Sequence, residues 1–165
     1  MAQPAEVSII HLHMSNKKKP PLKFDRKNLP LLMLQAREGL LSRFRPALQA
    51  AGLTEQQWRV LRVLSELGTH EPKDLMKLCR ISSSSIAGVL ARMEDVGLVE
   101  KVRLAHDQRR VHVSASSLGL SVAMKLAPEI AKTYDEVEDE LGKEFTEQLY
   151  QTLTHVIETF PSEAP

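Results

Sequence analysis

A run of four hydroxyl side chains stands directly before an apolar stripe of helical spacing that begins at Ile86. The first turn of a helix exposes backbone N–H groups and the positive end of the helix dipole, and both suit phosphate oxygens. Small hydroxyl groups there can bond to phosphates or base edges while letting the helix enter the major groove of DNA. The same run would also serve as a plain polar cap on a surface helix. The candidate residues are Ser82, Ser83, Ser84, Ser85 and, two turns later on the polar side of the helix, Arg92.

A basic polar stretch follows between two short β-branched segments, residues 98–103 and 110–114. Alternating segments around a polar stretch predict a β-hairpin. Arginines on a narrow hairpin tip fit the minor groove of A·T-rich DNA, where negative potential is concentrated. An aspartate at this tip would repel DNA if it faced it, so it is better placed to orient an arginine. An ordinary charged turn is the alternative. The candidates are Arg103, Asp107, Gln108, Arg109 and Arg110.

Helix-capping residues and helix-breaking residues predict the helices that position these side chains. An amphipathic helix from about residue 29 should end at Gly52, and Thr54 with Gln57 forms a capping box for the next helix. Pro72 starts a short helix, and a tight turn at Arg80 leads into the serine-led helix, which is the pattern of a helix-turn-helix. With the hairpin as its wing, a winged helix-turn-helix domain is predicted over residues 51–116. The expected fold class is mainly α with a small β-hairpin wing.

Two terminal helical regions, residues 28–50 and 117–160, carry apolar faces that the wing domain cannot cover. The second region is predicted as two helices, residues 117–132 and 134–160, with Pro128 as a kink or break. Pairing of these regions between two chains would bury the apolar faces, so the sequence predicts dimerisation helices and a homodimer. Residues 1–27, which include three consecutive lysines before Pro20, are expected to form a flexible basic tail.

Composition and missing motifs exclude several classes of protein. The net charge of +1 conceals a basic stretch around residues 101–112 and an acidic one around residues 134–147. No apolar run approaches the roughly 20 residues of a membrane span, and no secretory signal is seen, so we expect a cytoplasmic protein. We find no nucleophile elbow, glycine-rich phosphate loop or metal cluster, which argues against an enzyme and against a cofactor.

These features together resemble the MarR family of winged-helix regulators over about residues 29–160. Leu90-x-Arg92-Met93-Glu94-x-x-Gly97-Leu98-Val99, followed by Asp107-x-Arg109, is similar to the recognition helix and wing of that family. Residues 35–38 and 53–59 resemble its branch that represses homoprotocatechuate (aromatic-acid) degradation operons. The resemblance implies a homodimeric repressor on a palindromic operator in double-stranded DNA. It also implies a small aromatic acid as effector, held between the dimer helices and the wing domain.

An effector site is expected around Arg37, which shares an apolar stripe with Phe44. A buried cation needs a partner. A ligand carboxylate can provide it as a bidentate acceptor, and a salt bridge to an acid across the dimer would do so equally well. Trp58 would stack on an aromatic ligand or simply belong to the core. The predicted effector contacts are therefore Arg37, Phe44 and Trp58.

Two other functions remain open at this stage. One is a winged-helix regulator that responds to a non-aromatic signal or to thiol oxidation, and the other is a winged-helix module that binds only protein. Cys79, the one cysteine, follows apolar positions on a short helix and is expected to be a buried, inert thiol.

Overall fold

The structure, a computed structural model, describes the backbone of residues 26–104 and 107–161, together with their side chains except those of residues 103–110. Most of the described chain is helical, and a two-stranded antiparallel hairpin interrupts the helices. The predicted fold class, mainly α with a β-hairpin wing, is confirmed. The elements are α1 (Leu29–Ala50), α2 (Glu55–Leu67), α3 (Pro72–Leu78), α4 (Ser83–Asp95), β1 (Val99–Leu104), β2 (Asp107–Ala115), α5 (Ser117–Leu141) and α6 (Lys143–Thr159).

Side-chain caps and a glycine fix the ends of the first helices. The side chain of Asn28 accepts a hydrogen bond from Leu31 N at 3.1 Å and starts α1. Gly52, with φ +69°, follows the end of α1 in the left-handed region that glycine adopts without steric cost. The predicted capping box of α2 is confirmed, because Thr54 and Gln57 exchange both bonds, at 2.9 and 3.2 Å.

Helices α2, α3 and α4 enclose the main core together with the base of the hairpin. Leu61, Leu75, Met93 and Val113 are fully buried in it. The backbone of His70, ahead of α3, pairs with Val113 of β2, so the hairpin is anchored to the helix-turn-helix. This arrangement leaves one face of α4 and the far end of the hairpin projecting from the core.

The hairpin is longer than the alternation of its residues predicted. We expected a polar loop over residues 104–109, whereas β2 begins at Asp107, which is paired with Leu104 across a register irregularity after Arg103. Antiparallel pairing satisfies backbone groups whatever the side chains are, so polar residues can extend a ladder without any apolar alternation.

The predicted break between residues 132 and 134 is wrong. Helix α5 runs through Pro128 as far as Leu141, and the chain turns at Gly142, which has φ +86° and begins α6. Thr133 is buried inside the helix, where its hydroxyl donates to Glu129 O at 2.9 Å. A proline removes one helical hydrogen bond, whereas a positive φ ends the helical path, so the glycine and not the proline sets the boundary.

Helices α1, α5 and α6 leave large apolar side chains exposed in the single chain. No helix of the described residues is long and apolar enough to cross a membrane. The exposed apolar residues on these three helices include Leu29, Leu31, Leu32, Leu34, Met124, Phe145, Tyr150, Leu153, Ile157 and Phe160.

Candidate functional site

The four serines lie together at the start of α4, as the sequence predicted. Ser82 is the N-cap, with an extended backbone, and its side chain makes no bond to the helix backbone. Its Oγ instead lies 2.9 Å from Ser85 Oγ and 3.2 Å from Ser84 Oγ. Ser83 and Ser84 are exposed. The hydroxyl groups therefore form a polar patch around the positive end of a 13-residue helix.

Arg92 extends this patch along the exposed side of α4. Ser84, Gly88 and Arg92 are four residues apart, so they line one face of the helix. A Cβ added at Gly88 would lie 3.3 Å from Arg92 Nη1, which means that the guanidinium folds back over the glycine toward the serines. The absence of a side chain at Gly88 thus leaves room for the Arg92 guanidinium on the exposed face of α4.

The opposite side of α4 and its C-terminal half are held by packing and by an ion pair. Ile86, Val89, Leu90 and Met93 are buried in the core. Lys101 of β1 forms an ion pair with Glu94 at 2.6 Å, which ties the hairpin to the C-terminal half of α4. A rigid support of this kind keeps the exposed stripe and the hairpin in one fixed arrangement.

The predicted wing residues lie in the hairpin, but their side chains fall outside what the structure describes. The backbone of Arg103 belongs to β1, and the other four residues are in β2. Their contacts with DNA, and the orienting role of the aspartate, stay predictions. These four residues are Asp107, Gln108, Arg109 and Arg110.

A cavity of about 570 Å³ lies between α2 of the wing domain and α5; we call it the α2–α5 cavity. Trp58 and Arg62, one helical turn apart on α2, line one wall, and Tyr134 of α5 lies at its edge. Arg62 Nε donates to Glu66 at 2.8 Å. That bond, with a further one that Arg62 donates to Tyr134, raises the pKa of Arg62 against the opposing effect of burial. Ser65 and Glu66 complete the α2 wall, and the α5 wall is otherwise apolar: Leu120, Ala123, Met124, Ala127, Ile130 and Ala131.

A second cavity, of about 720 Å³, lies among α1, the end of α5 and α6; we call it the α1–α6 cavity. Arg37 and Phe44 both line it, and its other walls are almost entirely apolar. The Phe44 ring meets Tyr134 edge to face, with centroids 4.8 Å apart. Tyr134 therefore lines both cavities and separates them.

In the single chain, the Arg37 side chain is 50% exposed and is paired with Glu55 of α2. The three predicted effector residues do not share one cavity, since Trp58 lies in the α2–α5 cavity and Phe44 in the other. Sequence reasoning did not single out Arg62 and Tyr134, which line the α2–α5 cavity beside Trp58. The four-residue spacing of Trp58 and Arg62 could have indicated Arg62, because it places both side chains on one face of α2. Tyr134 comes next to them only through the packing of α5, which the sequence pattern does not show.

Cys79 is buried at the end of α3, with 2% of its surface exposed. Burial raises the pKa of its thiol to about 11, and the nearby Arg59 guanidinium opposes this effect only weakly. The reactive form of cysteine is the thiolate. A thiol that stays protonated near neutral pH and lies inside the core is a packing residue, which weakens the alternative of a thiol-oxidation sensor.

Comparison with known proteins matches this arrangement to one family. Residues 53–111 match the model of the MarR family. The chain is 37% identical over 124 residues to the HTH-type transcriptional regulator FarR of Neisseria gonorrhoeae, covering 75% of this chain and 85% of FarR. It is 36% identical over 133 residues to the homoprotocatechuate degradative operon repressor of Escherichia coli, covering 81% and 87%.

A solved structure agrees with the sequence relatives. The crystal structure of NadR in complex with 4-hydroxyphenylacetate is 34% identical and superposes with a TM-score of 0.68, covering 83% of this chain and 97% of NadR. The fold of the chain thus recurs in a protein of solved structure. The chain belongs to the MarR family of transcriptional regulators.

Proposed function

We propose that this protein is a homodimeric repressor that binds a palindromic operator and is released from it by a small aromatic acid bound in the α2–α5 cavity. The observation that carries the proposal is the composition of that cavity, in which an indole and a guanidinium of α2 face an apolar wall of α5. Two relatives support it. One is named as the homoprotocatechuate degradative operon repressor, and the other, NadR, has a crystal structure in complex with 4-hydroxyphenylacetate. The proposed place of action is the cytoplasm, where the operator is.

DNA recognition is assigned to α4 and the hairpin. The exposed stripe from Ser84 to Arg92 enters the major groove, while the arginines of the hairpin approach the adjacent minor groove. Two copies in a dimer must present their α4 helices about 34 Å apart to meet successive half-sites. This spacing makes DNA affinity sensitive to any change in the angle between the wing domain and the dimer helices.

The α2–α5 cavity is placed to control that angle. A ligand ring would lie against Trp58 and the apolar wall of α5, and its carboxylate would replace Glu66 as the partner of Arg62. Helix α2 belongs to the wing domain and α5 to the dimer frame, so a ligand between them favours one relative position. It shifts the equilibrium by its difference in affinity for the two positions.

The anchor of the ligand is tested by calorimetry with 4-hydroxyphenylacetate and a small panel of hydroxylated phenylacetates and benzoates. We expect Arg62→Ala to weaken binding about 10- to 100-fold, the usual value of a charge-assisted hydrogen bond. Arg45→Ala is the matched control, because it removes an equally exposed arginine that lines neither cavity, and Arg37→Ala probes the other cavity. If Arg37→Ala loses affinity and Arg62→Ala does not, the ligand lies in the α1–α6 cavity. If no panel member binds the wild type, the effector class is wrong.

DNA binding is tested with operator fragments selected from a random pool by the wild-type protein. Arg109→Ala should lower operator affinity about 10- to 100-fold and reduce the dependence on salt, since one cation per subunit is lost from the groove. Arg45→Ala is the control, because this arginine is exposed on α1 and paired only with Glu38 in the described residues. Equal affinities of the two variants in gel-shift titrations would contradict the assignment of the wing. Failure of the wild type to select any DNA would favour a protein-binding module.

A further inference from the structure

A chain of polar contacts crosses the boundary between dimer helix α1 and the wing domain. Glu55, the first residue of α2, accepts a hydrogen bond on Oε1 from Arg37 Nη2 of α1. The same oxygen lies 3.7 Å from Nε of Arg59, one turn further along α2. The Glu55 side chain is only 29% exposed, so water screens these two pairs less than it would a fully solvated pair. One carboxylate therefore joins a guanidinium of α1 to a guanidinium of the wing domain.

The guanidinium of Arg59 also contacts the turn that precedes α4. Arg59 Nη1 donates to Cys79 O at 2.6 Å and lies 3.4 Å from Arg80 O. These carbonyl groups stand at the C-terminal end of α3, where backbone acceptors lack partners within the helix and a cation is favourable. Arg80 itself has φ +49°, a left-handed conformation that is unusual for arginine. The contact thus holds the segment that aims the first turn of α4.

The remaining contacts between α1 and the wing domain have a different character. Phe44, Ala47 and Leu48 of α1 pack against the core through apolar surface. Apolar packing is non-directional, whereas hydrogen bonds between a guanidinium and a carboxylate prescribe a geometry. The hydrogen bond from Arg37 to Glu55 is therefore a directional side-chain contact, which adds to the backbone bonds at the α1–α2 junction such as that from Leu53 N to Leu48 O at 2.9 Å. It acts on the angle between α1 and the helix-turn-helix.

We propose that Glu55 is a positioning residue that sets the angle of α4 relative to the dimer frame and thereby determines the preferred spacing of operator half-sites. The inference rests on the proposed function, in which two copies of α4 read one operator. Loss of the carboxylate leaves two arginines with no anion between them, and the wing domain then turns more freely about α1. DNA binding persists, but its selectivity for spacing decreases.

The test uses the full-length protein and three versions of its selected operator, with the half-sites at the preferred spacing and one base pair closer or farther apart. Glu55→Gln keeps the size of the side chain and removes its charge. We expect the affinity ratio between preferred and altered spacings to fall about fivefold, because each subunit of the dimer loses a partly exposed ion pair. Glu55→Asp should restore part of the ratio, since it restores the carboxylate. Arg37→Gln, which breaks the bridge from the α1 side, should flatten the profile as well.

Glu38→Gln is the matched control, since it breaks an exposed Arg–Glu pair that lies within α1 alone. Its spacing profile should match that of the wild type. If Glu55→Gln and Arg37→Gln also keep the wild-type profile, Glu55 does not position α4 and the inference is overturned. A uniform loss of affinity at all three spacings, with the ratio unchanged, overturns it equally, because that is the signature of lost stability alone. A wild type that binds none of the three operators refutes the proposed function, and the inference with it.

Discussion

Replacing Gly119 with alanine should lower the free energy of unfolding by about 3 kcal/mol, at the upper end of the usual range for overpacking. A Cβ at this position would lie 2.1 Å from the carbonyl oxygen of Leu98 and 3.1 Å from Leu61 Cδ1. The first obstacle is backbone, which cannot rotate away. The first turn of α5 is also fixed, because Ser116 Oγ accepts from Gly119 N at 2.9 Å and donates to Gly97 O. The clash must therefore push α5 off the wing domain.

Urea denaturation followed by circular dichroism measures this loss. Gly39→Ala is the control, because Gly39 lies inside α1 with nothing within 4 Å of an added Cβ. Alanine there should be neutral or stabilising by up to about 1 kcal/mol, as expected for a helix interior. If Gly119→Ala unfolds at the same urea concentration as the wild type, the close approach of α5 to Leu98 is not present in solution.

A second large effect is expected from two charges placed on the apolar face of α6. Leu153 and Ile157 are one turn apart, and 36% and 62% of their surfaces are exposed in the single chain. Leu153→Asp with Ile157→Asp should therefore leave the subunit folded but prevent burial of this face against a second copy. We expect a monomer at micromolar concentration and a loss of operator affinity of about a thousandfold, because each subunit then binds its half-site without the linked partner.

Light scattering reports the mass, and gel-shift titration reports the affinity. His155→Asp is the matched control, since His155 is exposed on the same helix but outside the apolar stripe. It should remain dimeric and bind the operator as the wild type does. A double variant that still has the mass of a dimer would show that α6 does not contribute to the interface.

The predictions that the structure confirms depend on local signals. The capping box of Thr54 and Gln57 and the end of α1 at Gly52 are decided within a few residues, as is the serine-led start of α4. The position of the break between α5 and α6 was not decided in this way. The sequence contains two candidates, Pro128 and Gly142, and helical packing tolerates the first because only one backbone bond is lost.

Local sequence signals did not predict which residues lie together in the candidate effector site. Arg37 and Phe44 do lie on one face of α1, as predicted, and both line the α1–α6 cavity. The Arg37 side chain, however, pairs with Glu55 at the start of α2. The α2–α5 cavity exists only because α5 crosses α2 and brings Tyr134 to Arg62. The spacing of residues within α2 does not predict where α5 crosses it. Pairing of charges and shape of cavities are tertiary properties, and a single sequence does not specify them by its pattern alone.

One feature of the α2–α5 cavity gives the protein an optical property. Trp58 is the only tryptophan in the sequence, and it lies in the wall of this cavity. Its indole packs against the core and is partly buried, so its fluorescence arises from one defined environment. An aromatic molecule that stacks on the indole changes its emission directly, and so does a movement of α5 against α2. The native chain thus carries its own fluorescent reporter at the junction between α2 and α5, with no label required.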